Sequence, residues 1–175
     1  SGGDMTAVPI TDVKPDIFRH VLYYVYGGKV TDKEFKANAK ELIDAADKFG
    51  IVNLKLEAEA CYVESTTISV DNMMDNLLYA DSKNCALLKE TVMDFIVENG
   101  QDVLEKVSLK DVPGSMFADL LTAMTRGKKK DTNTGEDGDE LSTMRVSELR
   151  KKLDEKGLDI DGSREAMIAS LEDNT

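Results

Sequence analysis

The stretch ITDVKPDIFRHVLYYVYGGKV, residues 10–30, and AKELIDAADKFG, residues 39–50, decide how this chain is read. The opening residues read as a short strand and a turn ahead of an apolar helix. Pro15 suits the first helical turn, where a missing N–H costs nothing, and Gly27-Gly28 suits the end, where a left-handed residue is wanted. Between them Ile17, Phe18, Val21, Leu22 and Val25 recur at helical spacing and predict one buried face. A second helix is predicted over 40–49, with Leu42, Ile43, Ala45, Ala46 and Phe49 inward and Glu41, Asp44 and Lys48 outward. Thr31 to Asn38 reads as a charged connection.

Working outward, Asn53 can cap a helix over 54–63 with Leu54, Ala58, Cys61 and Tyr62 on one side and Lys55, Glu57, Glu59 and Glu64 toward solvent. Ser69 starts a further helix, with Asp71 in its first turn and Met73, Met74, Leu77, Leu78 and Ala80 as its stripe. After the polar break at 81–84, Ser82 or Asn84 begins a helix carrying Leu87, Leu88, Val92, Phe95 and Ile96, which stops near Asn99-Gly100. A short helical piece follows over 101–107. Phe117 to Met124 then forms another helix, with Leu120 and Leu121 inward and Gly127 as its stop. The pattern predicts a mainly α fold with at most one or two short strands.

Composition changes at Gly127. KKKDTNTGEDGDE, residues 128–140, has no apolar residue and reads as a flexible linker, so the segment beyond it is expected to tumble separately. In LSTMRVSELRKKLDEKGLDIDGSREAMIASLEDN, residues 141–174, Val146, Leu149 and Leu153 lie three and four apart on one predicted helix that Gly157 ends. Leu158 and Ile160 are expected to pack in the turn, and Ser163 caps a second helix bearing Met167, Ile168 and Leu171.

Charge and chemistry narrow the function. The 175 residues carry a net charge of −12 with 22 basic and 34 acidic side chains, the opposite of a phosphate-coating protein. Residues 1–127 account for −8, 128–140 for −2 and 141–175 for −2. Within the last segment, however, Arg145, Arg150, Lys151, Lys152 and Lys156 gather on the first helix region. Cys61 and Cys85 have no thiol or imidazole at knuckle spacing, which predicts buried free thiols in a reducing compartment and no metal site. His20 is the single histidine and lacks the partner that metal or acid–base chemistry needs. No phosphate loop or nucleophile elbow occurs. With neither an 18-residue apolar run nor a secretory signal, the expectation is a non-enzymatic protein without a cofactor or membrane partner, in the nucleus, the cytoplasm or both.

Two resemblances rest on these residues. D-V-x-P-D-x-F-x-x-x-L-x-Y-x-Y-x-G, then A-x-E-L-x-x-A-A-D-K-F-x-x-x-x-L-K, resembles the C-terminal half of a BTB/POZ domain of the speckle-type POZ class, which serves ubiquitin ligases as substrate adaptors. The similarity continues through residues 56–96, where that class carries a BACK-like helical extension. It implies a BTB/POZ-like half over 1–50 and a BACK-like extension over 51–127. It begins in mid-domain, so the sequence is expected to be a fragment or truncated product, and the hydrophobic-x-acidic cullin motif is not found in it. V-x-x-L-x-x-x-L-x-x-x-G-L-x-x-x-G-[ST]-[KR] resembles a SAP motif over 141–175, whose relatives bind DNA in nuclear proteins.

The resemblances imply protein partners (a cullin scaffold, a substrate, or a second copy) touching Asp47, Lys48, Phe49, Asn53 and Tyr62. They also imply DNA contact through Arg145, Arg150, Lys151, Ser163 and Arg164, where two helix N-termini favour phosphate. The leading reading is therefore an adaptor of a cullin-RING ligase with a SAP module for chromatin. The competing one is a chromatin-associated DNA-binding protein in which the BTB-like part only oligomerises.

Overall fold

A computed structural model describes residues 12–106, 114, 116–128 and 140–174. The described residues form helices joined by short turns, with no strand among them. The strand expected near Ile10 falls outside the described residues. Two compact units divide the chain, residues 1–61 and 62–175.

In the first unit, α1 (Pro15–Val25) packs on α2 (Asp32–Phe49), and α3 (Val52–Ser65) begins. Pro15 stands in the first turn of α1, as its missing N–H allows. At the other end Gly27 takes φ +84°, and a Cβ on Gly28 would fall 2.5 Å from the Tyr23 ring. The expected apolar face of α1 is narrower than its spacing suggests. Ile17 and Val21 are buried and Phe18 half-buried, while Leu22 and Val25 stand exposed beside Tyr23 and Tyr26.

Helix α2 starts eight residues before its predicted start at 40, because Thr31 and Glu34 form a capping box. The Thr31 hydroxyl accepts from the Glu34 N–H at 3.3 Å, and Glu34 Oε2 accepts from the Thr31 N–H at 3.0 Å. The expected connection at 31–38 is therefore the first part of a helix. It kinks at Asn38 (φ −132°, ψ 22°), whose side-chain amide donates to the Glu34 carbonyl at 3.0 Å. Phe35, Ala39, Leu42, Ile43, Ala45 and Ala46 are its buried face. Phe49, placed inward by the sequence, is 38% exposed at the helix end.

The outward assignment of Lys55 and Glu59 on α3 is overturned, since both are buried, at 3% and 1% exposure. Lys55 Nζ meets Asp47 Oδ1 at 2.9 Å, so a partner on α2 draws the charge inward while its methylene stem packs. Glu57, by contrast, is exposed as expected.

The second unit takes the last turn of α3 and continues with α4 (Met73–Ser82), α5 (Ala86–Glu98), α6 (Gly100–Lys106) and α7 (Met116–Lys128). α5 is central, with α4, α6 and α7 packed on it. Met73, Leu77, Ala80, Cys85, Leu88, Val92, Met93, Met116 and Ala123 are buried. Helix α4 begins after a turn over 70–72 and not at Ser69, and Leu78 of its expected stripe is 46% exposed. Leu121, expected inward on α7, is 63% exposed. α7 also runs through Gly127 to Lys128.

The C-terminal segment forms α8 (Glu140–Thr143), α9 (Val146–Glu155) and α10 (Arg164–Asp173). Here the reading holds in detail. Val146, Leu149, Leu153, Met167 and Leu171 are buried, with Leu158, Ile160 and Ile168 packed around them. Gly157 closes α9 at φ +67°, and the Ser163 hydroxyl accepts from the Ala166 N–H at 3.3 Å to cap α10. The expected separate tumbling of this segment does not fit the packing. Ala86 is part of the same core, Leu87 packs against it, and α9 lies on α5. About 35 residues bury too little apolar surface to form a full core alone, and α5 supplies the missing side.

Candidate functional site

Two surfaces hold the residues that the sequence singles out. The first is the corner where α2 meets α3. Lys48 Nζ donates to Asp12 Oδ2 at 3.0 Å, the Phe49 ring sits 5.8 Å from the Phe18 ring, centroid to centroid, and Asn53 is exposed. Asp47 stands with them but holds Lys55. Tyr62 belongs to the second unit and is half-buried there, its hydroxyl donating to Asn76 Oδ1 at 2.7 Å. A feature that the periodicity hid lies at the end of α1. Leu22, Val25 and Tyr26 fall three and four apart, and with Tyr23 they form an exposed apolar ridge on which Tyr26 is 86% exposed.

Beside this ridge the Tyr24 hydroxyl donates to Glu57 Oε1 at 2.8 Å. Burial, with that bond and the nearby carboxylate charge, pushes the Tyr24 phenol up to about 12. On α2, the Thr31 hydrogen bonds hold the Glu34 carboxyl below its usual range.

The second surface is the C-terminal helix pair. Arg145, at the N-cap of α9, turns its guanidinium to α5, where Nη1 pairs with Asp94 and lies 3.6 Å from Glu90 Oε1. The Asp94 hydrogen bond, with the two α5 carboxylates and Glu148 nearby, outweighs burial and holds the guanidinium further toward its charged form. Directly behind it the Val146 N–H donates to Glu90 Oε2 at 3.1 Å, a buried charge-assisted bond. Arg164 folds back, donating from Nη2 to the carbonyls of Ser142 at 2.7 Å and Met144 at 2.9 Å, which ties α10 to the end of α8. Ser163 is occupied as a cap. Arg150 is half-buried, and Lys151 projects, its side chain 78% exposed with Glu155 at 3.9 Å. Of the five expected phosphate contacts, Lys151 is thus the most open.

A small cleft of about 40 Å³ lies where α4, α5, α7 and the start of α10 converge. Lys89 Nζ spans it, 2.8 Å from Asp81 Oδ1 and 2.6 Å from Asp119 Oδ2. Asp119 and Glu165 hydrogen-bond across from α7 to α10. Burial pushes the Asp119 carboxyl up, against the pull of Lys89. Burial also acts to raise Glu165, but bonds from its own backbone N–H, Ser163 and Asp119 outweigh it and lower that carboxyl. The sequence reading missed Lys89, Glu90, Asp94 and Asp119. Its only trace of them was the four-residue spacing of Glu90 and Asp94, which puts two carboxylates on one side of α5.

Among the described residues no group of three or more His, Cys, Asp or Glu side chains is arranged to hold a metal, and no helix is long and apolar enough to cross a membrane. Comparison with known proteins finds a family match at each end of the chain. The BTB/POZ domain family matches residues 1–66, and the SAP domain family matches residues 140–175. The chain carries a BTB/POZ region and a SAP domain. Two mouse proteins, TD and POZ domain-containing protein 1 and TD and POZ domain-containing protein 1-like, are each 29% identical to it over 107 residues, 61% of this chain. The chain spans 29% of the length of these relatives. The α2–α3 corner and the α1 ridge thus lie within the BTB/POZ region, and α8–α10 make up the SAP domain.

Proposed function

We propose that this chain is a non-enzymatic interaction adaptor. In this reading the BTB/POZ half (1–50) and BACK-like helices (51–127) dock a protein partner, and a linker (128–140) leads to a SAP domain (141–175) that contacts DNA or chromatin in the nucleus. The observation that carries it is the apolar ridge of α1. Val25 and Tyr23 are each 58% exposed and Tyr26 86%, on the helix whose Phe18 meets the Phe49 ring of α2. A ridge of that kind is a protein-contact surface more than a solvated one. Lys48, Phe49 and Asn53 of the α2–α3 corner are further candidate contacts within the first unit, where Asp47 is held by Lys55. Lys151 supplies the SAP domain's most open candidate cation, with the half-buried Arg150 next to it in sequence.

The partner favoured is the N-terminal domain of a type-3 cullin, with the chain presenting a substrate to the ligase. Calorimetry with the full chain should give weak binding, with Kd in the range of about 1–100 µM. Val25→Asp with Tyr26→Asp should weaken it at least about tenfold while helix content is retained. Binding that ignores both changes removes the ridge from the site. If no heat is seen at about 100 µM, the cullin role is lost, and self-association, read by light scattering, is what remains for the ridge.

A further inference from the structure

In nucleic-acid recognition the N-terminus of a helix offers free N–H groups and positive dipole to a phosphate, and a cation beside it completes the site. In the SAP domain both are already taken from within the chain. At α9 the first helical N–H, that of Val146, donates to Glu90 Oε2 at 3.1 Å, and Glu90 is 8% exposed. The neighbouring cation Arg145 pairs with Asp94, one turn further along α5, and with Glu90. At the start of α10 the domain occupies its own groups, the Ser163 hydroxyl accepting from the Ala166 N–H and Arg164 turned onto the carbonyls of Ser142 and Met144, so the mask lies at α9. The carboxylates stand where phosphate oxygens would stand, with the same charge sign and the same acceptor role. The apolar contact of Ala86 and Leu87 with the SAP core holds them in register.

We infer that the acidic face of α5, Glu90 with Asp94, is an internal phosphate mimic that occupies the start of α9 in the SAP domain and masks it from nucleic acid until the two separate. This rests on the reading of the SAP domain as a DNA-contact module. The mask is an equilibrium. Nucleic acid binds with its intrinsic affinity reduced by the fraction of molecules that are open, so weakening the mask strengthens binding without adding a contact. It also explains how a chain of net charge −12 keeps a nucleic-acid module from indiscriminate electrostatic binding.

The test is fluorescence anisotropy of a labelled A/T-rich duplex with the full chain, run across a salt series. Asp94→Asn, at a partly exposed position, and Glu90→Gln with Asp94→Asn form the release series. Glu64→Gln with Asp75→Asn removes the same charge from exposed positions in the same unit. The release series should raise affinity about tenfold and steepen the slope of log affinity against log salt by about one, as Arg145 gains a phosphate. The control should stay within about twofold.

Amide exchange at Val146, read in the same proteins, reports undocking independently of any ligand. Faster Val146 exchange with no gain in affinity overturns the mask while DNA binding stands. An equal gain in the control overturns it as a bulk-charge effect. If no protein in the set binds duplex even at low salt, the SAP reading falls and the mask with it. If Asp94→Asn alone gains affinity, the proposal holds even where the buried Glu90→Gln change fails to fold.

Discussion

Asp47 shows how residue pairs can escape a reading by periodicity. In sequence it is an outward acidic residue near a helix end. In the fold its carboxylate receives the buried ammonium of Lys55 at 2.9 Å, from the next helix. Helical spacing reports which side of its own helix a residue occupies and carries no word of what faces it, so Lys55 and Glu59 were unreadable. The core positions of α2, whose neighbours are simply apolar, were plain. Removing one partner of such a pair leaves charge stranded in the interior. Asp47→Ala should therefore destabilise by about 2–4 kcal/mol in chemical denaturation. A cost below about 0.5 kcal/mol would return Asp47 to the partner surface, where the sequence alone had placed it. Tyr24 gives a second check at this scale. Its phenol is raised to about 12 in the fold from an ordinary 10.0, so its bond to Glu57 stabilises fully below pH 10 and is lost as pH climbs through the folded value. The difference between wild-type and Tyr24→Phe absorbance titrations isolates this one phenolate. A midpoint about 12 is expected, and one near 10 means that the bond is not made.

At the level of elements, helix starts divide into those with a visible signal that was used and one that was passed over. Ser163 and Gly157 bracket the SAP turn and were read correctly, because each sits beside an apolar pattern that fixes its place. Thr31 and Glu34 carry an equally explicit capping box, but the next six residues hold only Phe35, Ala37 and Ala39 as apolar members, so charge masked the start of α2. Thr31→Ala should cost about 1 kcal/mol and lower Tm by a few degrees, because one orphan N–H of α2 loses its acceptor. Lys33→Ala, two residues on and exposed, should change stability by less than about 0.5 kcal/mol. Equal losses would mean that propensity and not the cap sets this helix start. α1 failed in the opposite direction. Five apolar positions at helical spacing predicted one buried face, yet only Ile17 and Val21 are buried, and the exposed remainder became the proposed partner ridge.

For the whole molecule, the family resemblances were legible because they rest on long ordered runs of residue types. The packing of the SAP domain was not. Residues 128–140 contain no apolar side chain, which favoured an independent C-terminal module. What ties that module down is Ala86, Leu87, Glu90 and Asp94, all on a helix some 50 residues earlier, as in the Arg145–Asp94 pair at a separation of 51. Of these only Leu87 had a reading, as part of the apolar stripe of α5, and nothing local marked the others as partners.

Under the inferred mask this docking decides whether the SAP domain is available for nucleic acid, and amide hydrogen exchange on the intact chain tests it most directly. The account predicts that Val146, Leu149 and Leu153 exchange as slowly as Leu88 and Val92 of α5, and that Glu90→Gln speeds Val146 above all. Fast exchange throughout 141–174, with α5 fully protected and unaffected by that change, would contradict it.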